Sequence, residues 1–291
     1  MTMQSVVIVG TGLIGASVGL ALRRAGFDGE ITGIDASAEE GLAAVRVCAV
    51  DAALVPGAAA VEACRRADVI VLAVPVLGIL DWIAKLGPVL GPDQLVTDVG
   101  STKRAICELA AGQFGEAGSA RFLPGHPMAG KESGGAALAE ASLFDGAMWL
   151  FTPLTEAPTL LEAEWVAWVG RFGARTMVFD AARHDQICAW VSHLPQMVAT
   201  AMSAMFQDEF AEVPELAAEF EAIGGRALRE MTRLGASPYS MWRDVAMTNT
   251  EPLGATLFAL EQRLAHLREN LRTPGLREEF GKANTFRARR G

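Results

Sequence analysis

Through the first 180 residues, short β-branched runs alternate with alanine-rich stretches whose apolar positions recur at helical spacing. The runs predict strands over residues 5–9, 31–35, 69–74, 95–98, 121–123, 147–152 and 176–179. Strands alternating with helices in this way form a parallel sheet covered on both faces. From about residue 181 the strand signal stops and four long helical patterns follow, over 185–207, 214–234, 238–248 and 251–271. In the last of these Leu253, Leu257, Leu260, Leu264 and Leu267 fall on one stripe, which reads as a core or dimer seam. The charged tail after Thr273 is expected to be loose. No internal repeat or low-complexity tract is present. With 291 residues the chain is long enough for two domains, each with its own core, drawn here at 1–180 and 181–291.

Composition narrows the partners. Twenty-five basic residues against 34 acidic ones give a net charge of −9 without long runs, which opposes binding to a phosphate backbone, so nucleic acid is not expected. Cys48, Cys64, Cys107 and Cys188 lie far apart with no Cys-x-x-Cys, which suggests neither a zinc site nor a disulfide framework and fits reduced thiols in cytoplasm. Residues 6–22 carry no charge, yet Gly10, Gly12, Gly15 and Gly19 suit a tight turn and close helix packing rather than a membrane span. No targeting or membrane segment is expected. The apolar fraction of 51% exceeds what a two-domain monomer of this size conveniently hides, which points to a homodimer through the helical region.

Chemistry gathers at the carboxyl ends of the predicted strands, where ligands of such sheets bind. Gly10-x-Gly12-Leu13-Ile14-Gly15 lies between an apolar strand and a helix, with Asp35 ending the second strand. That is the Rossmann-type dinucleotide pattern: a pyrophosphate at the helix N-terminus and an acid on the ribose hydroxyls. Because the acid would repel a 2′-phosphate, NAD is expected over NADP. Pro75, Asp98 to Ser101 and His126 fall at the same edge. Ser101 could cap the following helix or touch a ligand. Lys103 reads as solvated. His126, read as lying in a polar loop, could be a structural histidine or a proton acceptor, since an unperturbed imidazole titrates near ~6.5. His184 and His193 lack the i, i+4 spacing of a helical metal pair, and no metal is expected. Arg233 precedes a polar and aromatic break, either as a solvated charge or as a bidentate partner for a carboxylate.

Taken together, these segments resemble the prephenate and arogenate dehydrogenase family of tyrosine biosynthesis. The resemblance rests on the glycine motif, on Asp98-Val99-Gly100-Ser101-Thr102-Lys103, on Gly125-His126-Pro127-Met128-Ala129-Gly130, on Ser192-His193-Leu194-Pro195 and on Met241-Trp242-Arg243-Asp244. It implies a Rossmann-type domain followed by an all-α dimerisation domain. It also implies His126 as the catalytic group with Ser101 orienting it, and Arg233 on the ring carboxylate. His193, Gln196 and Trp242 would line the substrate, with Glu132 and Glu230 as gating acids. The glycine segment with Leu13, Ile14, Asp35 and Pro75 would hold NAD. One departure stands out: many members carry a second histidine where this chain has Gln196. An uncharged amide there could donate to a keto oxygen, which favours prephenate over the ammonium-bearing arogenate. The chain ends soon after the helical region, so a monofunctional enzyme is expected. Its reaction would be NAD-dependent oxidative decarboxylation of prephenate to 4-hydroxyphenylpyruvate. The alternatives are an arogenate or dual-specificity dehydrogenase, another enzyme of the fold such as a β-hydroxyacid dehydrogenase, and a catalytically silent NAD-binding sensor.

Overall fold

Val6 and Ile8 of the first strand point to one side and Val7 and Val9 to the other, and each pair enters a different apolar cluster. Val69 and Val71 against Ile70 and Leu72 repeat the division in the strand beside it. A sheet buried on both faces explains these unbroken apolar runs. In this computed structural model, which describes residues 3–289 apart from 116–119, 132 and 211, the sheet has six strands. They are β1 (Ser5–Val9), β2 (Glu30–Ile34), β3 (Ala52–Leu54), β4 (Val69–Leu72), β5 (Leu95–Asp98) and β6 (Arg121–Leu123). All pairs are parallel, in the order β3-β2-β1-β4-β5-β6. The order reverses between β1 and β4, and the crevice at such a switch point is where a ligand sits. Helices α1 (Leu13–Arg24), α2 (Ala38–Arg46), α3 (Ala58–Arg66), α4 (Val76–Leu86) and α5 (Arg104–Phe114) connect the strands.

A second sheet of three strands follows, β7 (Gly125–Pro127), β8 (Met148–Phe151) and β9 (Arg175–Val178), with α6 (Leu160–Arg171) between the last two. β7 runs antiparallel to β8 with His126 opposite Leu150, so His126 sits on a buried strand rather than in the expected polar loop. β3 was likewise not anticipated. Both strands are three residues long, too short to show a period of two.

The helical region comprises α7 (Ala181–Cys188), α8 (Leu194–Phe210), α9 (Pro214–Ile223), α10 (Arg226–Thr232), α11 (Tyr239–Thr248), α12 (Thr250–Glu269) and α13 (Pro274–Ala288). α7 and α8 are one continuous rod interrupted by a π-helical turn over Ala189–His193, in which the Leu194 N–H reaches back to the Ala189 carbonyl. Pro195 has no N–H to continue the α ladder, and the wide turn absorbs that loss. The tail is not loose as expected. Thr273 caps α13, and Glu279 ties it to α12 through Arg263 at 2.8 Å. Among the described residues, no helix is long and apolar enough to cross a membrane.

Two carboxylates of the helical region cap helices of the sheet domain. Asp185 accepts from the Lys103 and Arg104 N–H groups at the start of α5, at 2.7 and 2.9 Å. Asp244 accepts from the Leu77 N–H in the first turn of α4 at 3.1 Å. Both helices follow central strands, so the seam between the two regions lies at the ligand-binding edge of the sheet.

Candidate active site

The glycine motif has the geometry a pyrophosphate requires. Gly10 holds φ of +90°, and a Cβ there would lie 2.4 Å from the Ala73 carbonyl oxygen. A Cβ on Gly15 would lie 1.9 Å from the Gly10 oxygen, so α1 packs on the turn only without one. Gly12 differs, since a Cβ there would meet nothing within 4 Å. The space beside it is open, and Gly12 leaves the N-terminus of α1 without a side-chain cap or an acid in its first turn. Unsatisfied N–H groups facing open space suit an anion. Leu13 is buried and Ile14 half-buried behind the turn, while Pro75, the N-cap of α4, is exposed across the switch point. Asp35 follows β2 directly. Its Oδ2 accepts from the Thr11 N–H at 2.8 Å and hydroxyl at 3.1 Å, and its Oδ1 from the Ser37 N–H at 2.9 Å. Oδ1 retains acceptor capacity for a ribose hydroxyl. These residues fit a bound NAD.

Beyond the nucleotide edge, polar groups are buried as a connected network. Asp98 ends β5 and is fully buried against Lys103, whose ammonium pairs with its Oδ2. Lys103 is therefore not solvated as the sequence suggested. Asp98 also accepts from the Gly100 N–H at 2.8 Å and the Gly125 N–H at 3.2 Å, which fixes the entry to β7 and hence His126. Burial pushes the Asp98 carboxyl up, against the pull of the Lys103 ammonium.

His126 is 7% exposed, and its Nδ1 lies 2.9 Å from His184 Nε2. His184 Nδ1 in turn lies 2.8 Å from Asp185 Oδ1. The carboxylate can only accept, so His184 donates from Nδ1, and its Nε2 must then accept from His126 Nδ1. That chain fixes the tautomer of His126 and makes Nε2 its basic nitrogen. Burial, then the neighbouring His184, Lys103 and His193, hold His126 well below the usual imidazole range. His184 is lowered by burial as well, against the raising influence of Asp185. Cys188 completes the cluster, with Sγ 3.6 Å from His184 Nε2 and 3.9 Å from His126 Nδ1, and burial pushes its thiol up to about 12.

Other expected residues fall in three groups. His193 and Trp242 meet edge to face at 5.9 Å, and His193 Nε2 and Trp242 Nε1 are both buried without a hydrogen-bond partner. Asn249 donates to the Asp185 carbonyl at 3.0 Å and to His193 Nδ1 at 3.1 Å, which leaves the His193 proton on Nε2. Burial lowers His193 to about 4. Ser101 is half-buried, and the α5 N-terminus that it might have capped is taken by Asp185. Arg233 opens an exposed 3₁₀ turn, Arg233–Ala236, that packs on α8. Gln196 holds that turn: its amide donates to the Leu234 carbonyl at 2.7 Å and the Thr200 hydroxyl at 3.1 Å, and accepts from Ser237 at 3.1 Å. Both amide hydrogens are engaged, so none remains here for a substrate keto oxygen. Glu230 pairs with Arg226 at 2.6 Å on an exposed face of α10, apart from the buried cluster. Glu132 lies outside the described residues. His184, Asp185 and Cys188 were not read from the sequence as site residues, although His184 and Cys188 stand four apart on one helix, the spacing sought only between His184 and His193.

Residues 18–177 match the family described as prephenate dehydrogenase, nucleotide-binding domain, and residues 180–283 match prephenate dehydrogenase, dimerization domain. The chain is 33% identical to the prephenate dehydrogenase of Lactococcus lactis, over 92% of its own length and 70% of that protein. It also resembles the Bacillus subtilis enzyme at 28% identity, of which it spans 65%. Among solved structures, prephenate dehydrogenase of Aquifex aeolicus in complex with hydroxyphenyl propionate and NAD+ superposes with a TM-score of 0.87 at 28% identity, over 100% of this chain and 98% of that one. Synechocystis arogenate dehydrogenase superposes with a TM-score of 0.76 at 30% identity, over 99% and 100%. The two family models, which together span residues 18–177 and 180–283, and the likeness of these proteins along nearly the whole chain show that it belongs to the prephenate dehydrogenase family and is an NAD-dependent oxidoreductase.

Proposed function

We propose that this chain carries out oxidative decarboxylation of prephenate to 4-hydroxyphenylpyruvate, with His126 as the general base. The observation that carries the proposal is the Asp185–His184–His126 chain, which presents an unprotonated Nε2 at neutral pH. NAD, when bound on the glycine turn, supplies the acceptor for the hydride leaving the ring carbon. His126 takes the proton of the hydroxyl on that same carbon as the hydride leaves, and returns it to the ring oxygen once the ring carboxylate has departed as carbon dioxide and the ring is aromatic. The buried surroundings exclude water from the proton transfer and hold the imidazole neutral until it is needed. Arg233 binds the ring carboxylate, and the turn clamped by Gln196 presents it. Ser101, with no helix end to cap, is available to orient the hydroxyl.

The active form is proposed to be a homodimer in the cytoplasm, built through the region that matches the dimerization domain. Domain limits near 180 fall between β9 and α7. The second reading, arogenate as substrate, is favoured by the likeness to the Synechocystis enzyme. Measuring NADH formation with each substrate tests both. The expected result is a higher kcat/KM with prephenate, and a loss of about 10² to 10⁴ in turnover for His126→Asn with NAD affinity kept. Near-normal turnover in that variant moves the base elsewhere.

A further inference from the structure

His184 and Cys188 are four residues apart on α7, so their side chains leave the same face of the helix, and β7 carries His126 across to meet them. His126 Nδ1, His184 Nε2 and Cys188 Sγ lie within 4.8 Å of one another. The three separations are 2.9 Å between the nitrogens and 3.6 and 3.9 Å from the sulfur. Tetrahedral zinc, with bonds of about 2.0–2.1 Å to nitrogen and about 2.3 Å to sulfur, sets nitrogen pairs about 3.3 Å apart and nitrogen–sulfur pairs about 3.5 Å apart. Each edge of the triangle differs from that geometry by only a few tenths of an ångström.

The surroundings are also those of a metal ligand set. Asp185 Oδ1 accepts from His184 Nδ1, the carboxylate contact that aims Nε2 of a histidine at a metal. Asp185 itself is fixed by the Lys103 and Arg104 N–H groups. The nearby Lys103 ammonium is neutralised by Asp98, so no unpaired cation opposes a second one. Two imidazoles and a thiolate select a borderline-soft ion such as zinc over magnesium or calcium.

We propose that His126, His184 and Cys188 form a binding site for a thiophilic divalent cation, zinc above all, and that filling it switches the enzyme off. The second half rests on His126 being the base. Without metal, His126 carries its proton on Nδ1 and keeps a lone pair on Nε2. A cation on Nδ1 displaces that proton, and a neutral imidazole can then hold it only on Nε2. The nitrogen that accepted from the substrate becomes a donor. Cys188 releases its proton to solvent as it binds, so one proton is lost per ion and nothing is oxidised or reduced. Binding therefore tightens as pH rises.

Cobalt(II) added to chelator-treated protein tests the site without reference to activity. The expected result is a near-ultraviolet thiolate-to-cobalt absorption with visible bands of tetrahedral intensity, retained in Cys48→Ser and lost in Cys188→Ser. Zinc should abolish NADH formation in the wild type. In Cys188→Ser the zinc concentration that halves NADH formation, read relative to that variant's own metal-free rate, should be higher than in the wild type by at least the factor that loss of an outer-shell partner brings, about 10- to 100-fold. No thiolate band in the wild-type protein overturns the site, and that reading needs no variant to fold. A band at full occupancy with activity undiminished overturns the switch and counts against His126 as base, while the ion site stands.

Discussion

The two halves of the chain solve the burial problem differently. The sheet domain hides Trp149, Trp165, Phe144, Phe151 and Phe172 almost completely. From residue 181 onward the only buried apolar residues among those described are Cys188, Ala189, Ala199, Val245 and Leu253. Buried positions there go instead to His184, Asp185, His193, Gln196, Asp244, Asn249 and Thr256. Sixteen of the 23 exposed large apolar residues among those described belong to this half, including Ile223 at 82%, Phe258 at 62% and Leu264 at 56%. A domain that turns polar groups inward and apolar groups outward is not a free-standing unit. Its polar interior is completed by the sheet domain, and its apolar exterior is the face on which the proposed dimer would form.

The sharpest way to break this contrast is to place charges on the outer face of α12. Of its five leucines only Leu253 is buried within the chain, while Leu257 and Leu264 are exposed beside Phe258. Aspartates at Phe258 and Leu264 would be unpaired charges in an apolar interface, a cost of several kcal/mol. Light scattering should give about twice 30.8 kDa for the wild type and one chain for Phe258→Asp/Leu264→Asp. A wild-type protein of one chain mass at dilute native concentration defeats the dimer.

The same contrast explains what could be read from the sequence. Strands β1 and β4 are legible because burial on both faces makes residues 6–9 and 69–72 unbroken apolar runs, and Gly10, Gly12 and Gly15 announce their turn. β3 and β7 are hidden because Ala52-Ala53-Leu54 and Gly125-His126-Pro127 are too short for a period and carry neither a β-branched nor an aromatic strand former, whereas the equally short β6 has Phe122. The site histidine was found by its neighbours in sequence, but its partners were not. His184 and Asp185 lie 58 and 59 residues later, and an ordinary helix of polar aspect conceals that they face inward. Lys103 was misjudged for the converse reason, since its partner Asp98 is close in sequence but their burial comes only from tertiary packing. Gln196 looked like a substrate contact because a family position marked it. Its partners Leu234 and Ser237, near Arg233, are visible only once α8 and the 3₁₀ turn are docked.

A smaller effect separates the halves by acid. Of the four histidines, His184, His193 and His266 belong to the helical half and only His126 to the sheet domain. His193 is held neutral, with its value lowered to about 4 by burial. A histidine whose folded value lies below its unfolded one adds stability that is whole above about 6.5 and is lost as pH falls toward 4, because the unfolded chain binds the proton more readily. From His193 alone the loss between pH 6.5 and 5 is about 2 kcal/mol. His126 and His184 act in the same direction. Chemical denaturation at the two pH values should show this fall, and hydrogen exchange should show the α7–α8 rod opening before β1 and β4. Equal midpoints at pH 6.5 and 5 would contradict the burial of these rings.

The smallest effect concerns Gln196 and asks whether the helical half recognises the substrate directly or through its packing. Three hydrogen bonds join its amide to Leu234, Thr200 and Ser237, so the residue supports the turn on which Arg233 sits. Gln196→Ala leaves the Leu234 carbonyl and the Ser237 hydroxyl without this partner, which costs about 1–3 kcal/mol of stability. The turn loosens, so KM for prephenate should rise while KM for NAD and the pH profile of kcat stay in place. Gln196→Glu is the more telling variant. A carboxylate can only accept, so it cannot satisfy the Leu234 carbonyl, and it should lower the melting temperature without redirecting the enzyme toward arogenate. A shift of about tenfold or more in the prephenate-to-arogenate ratio, roughly 1.4 kcal/mol, at unchanged stability would return Gln196 to the substrate's side chain and remove the clamp as an explanation.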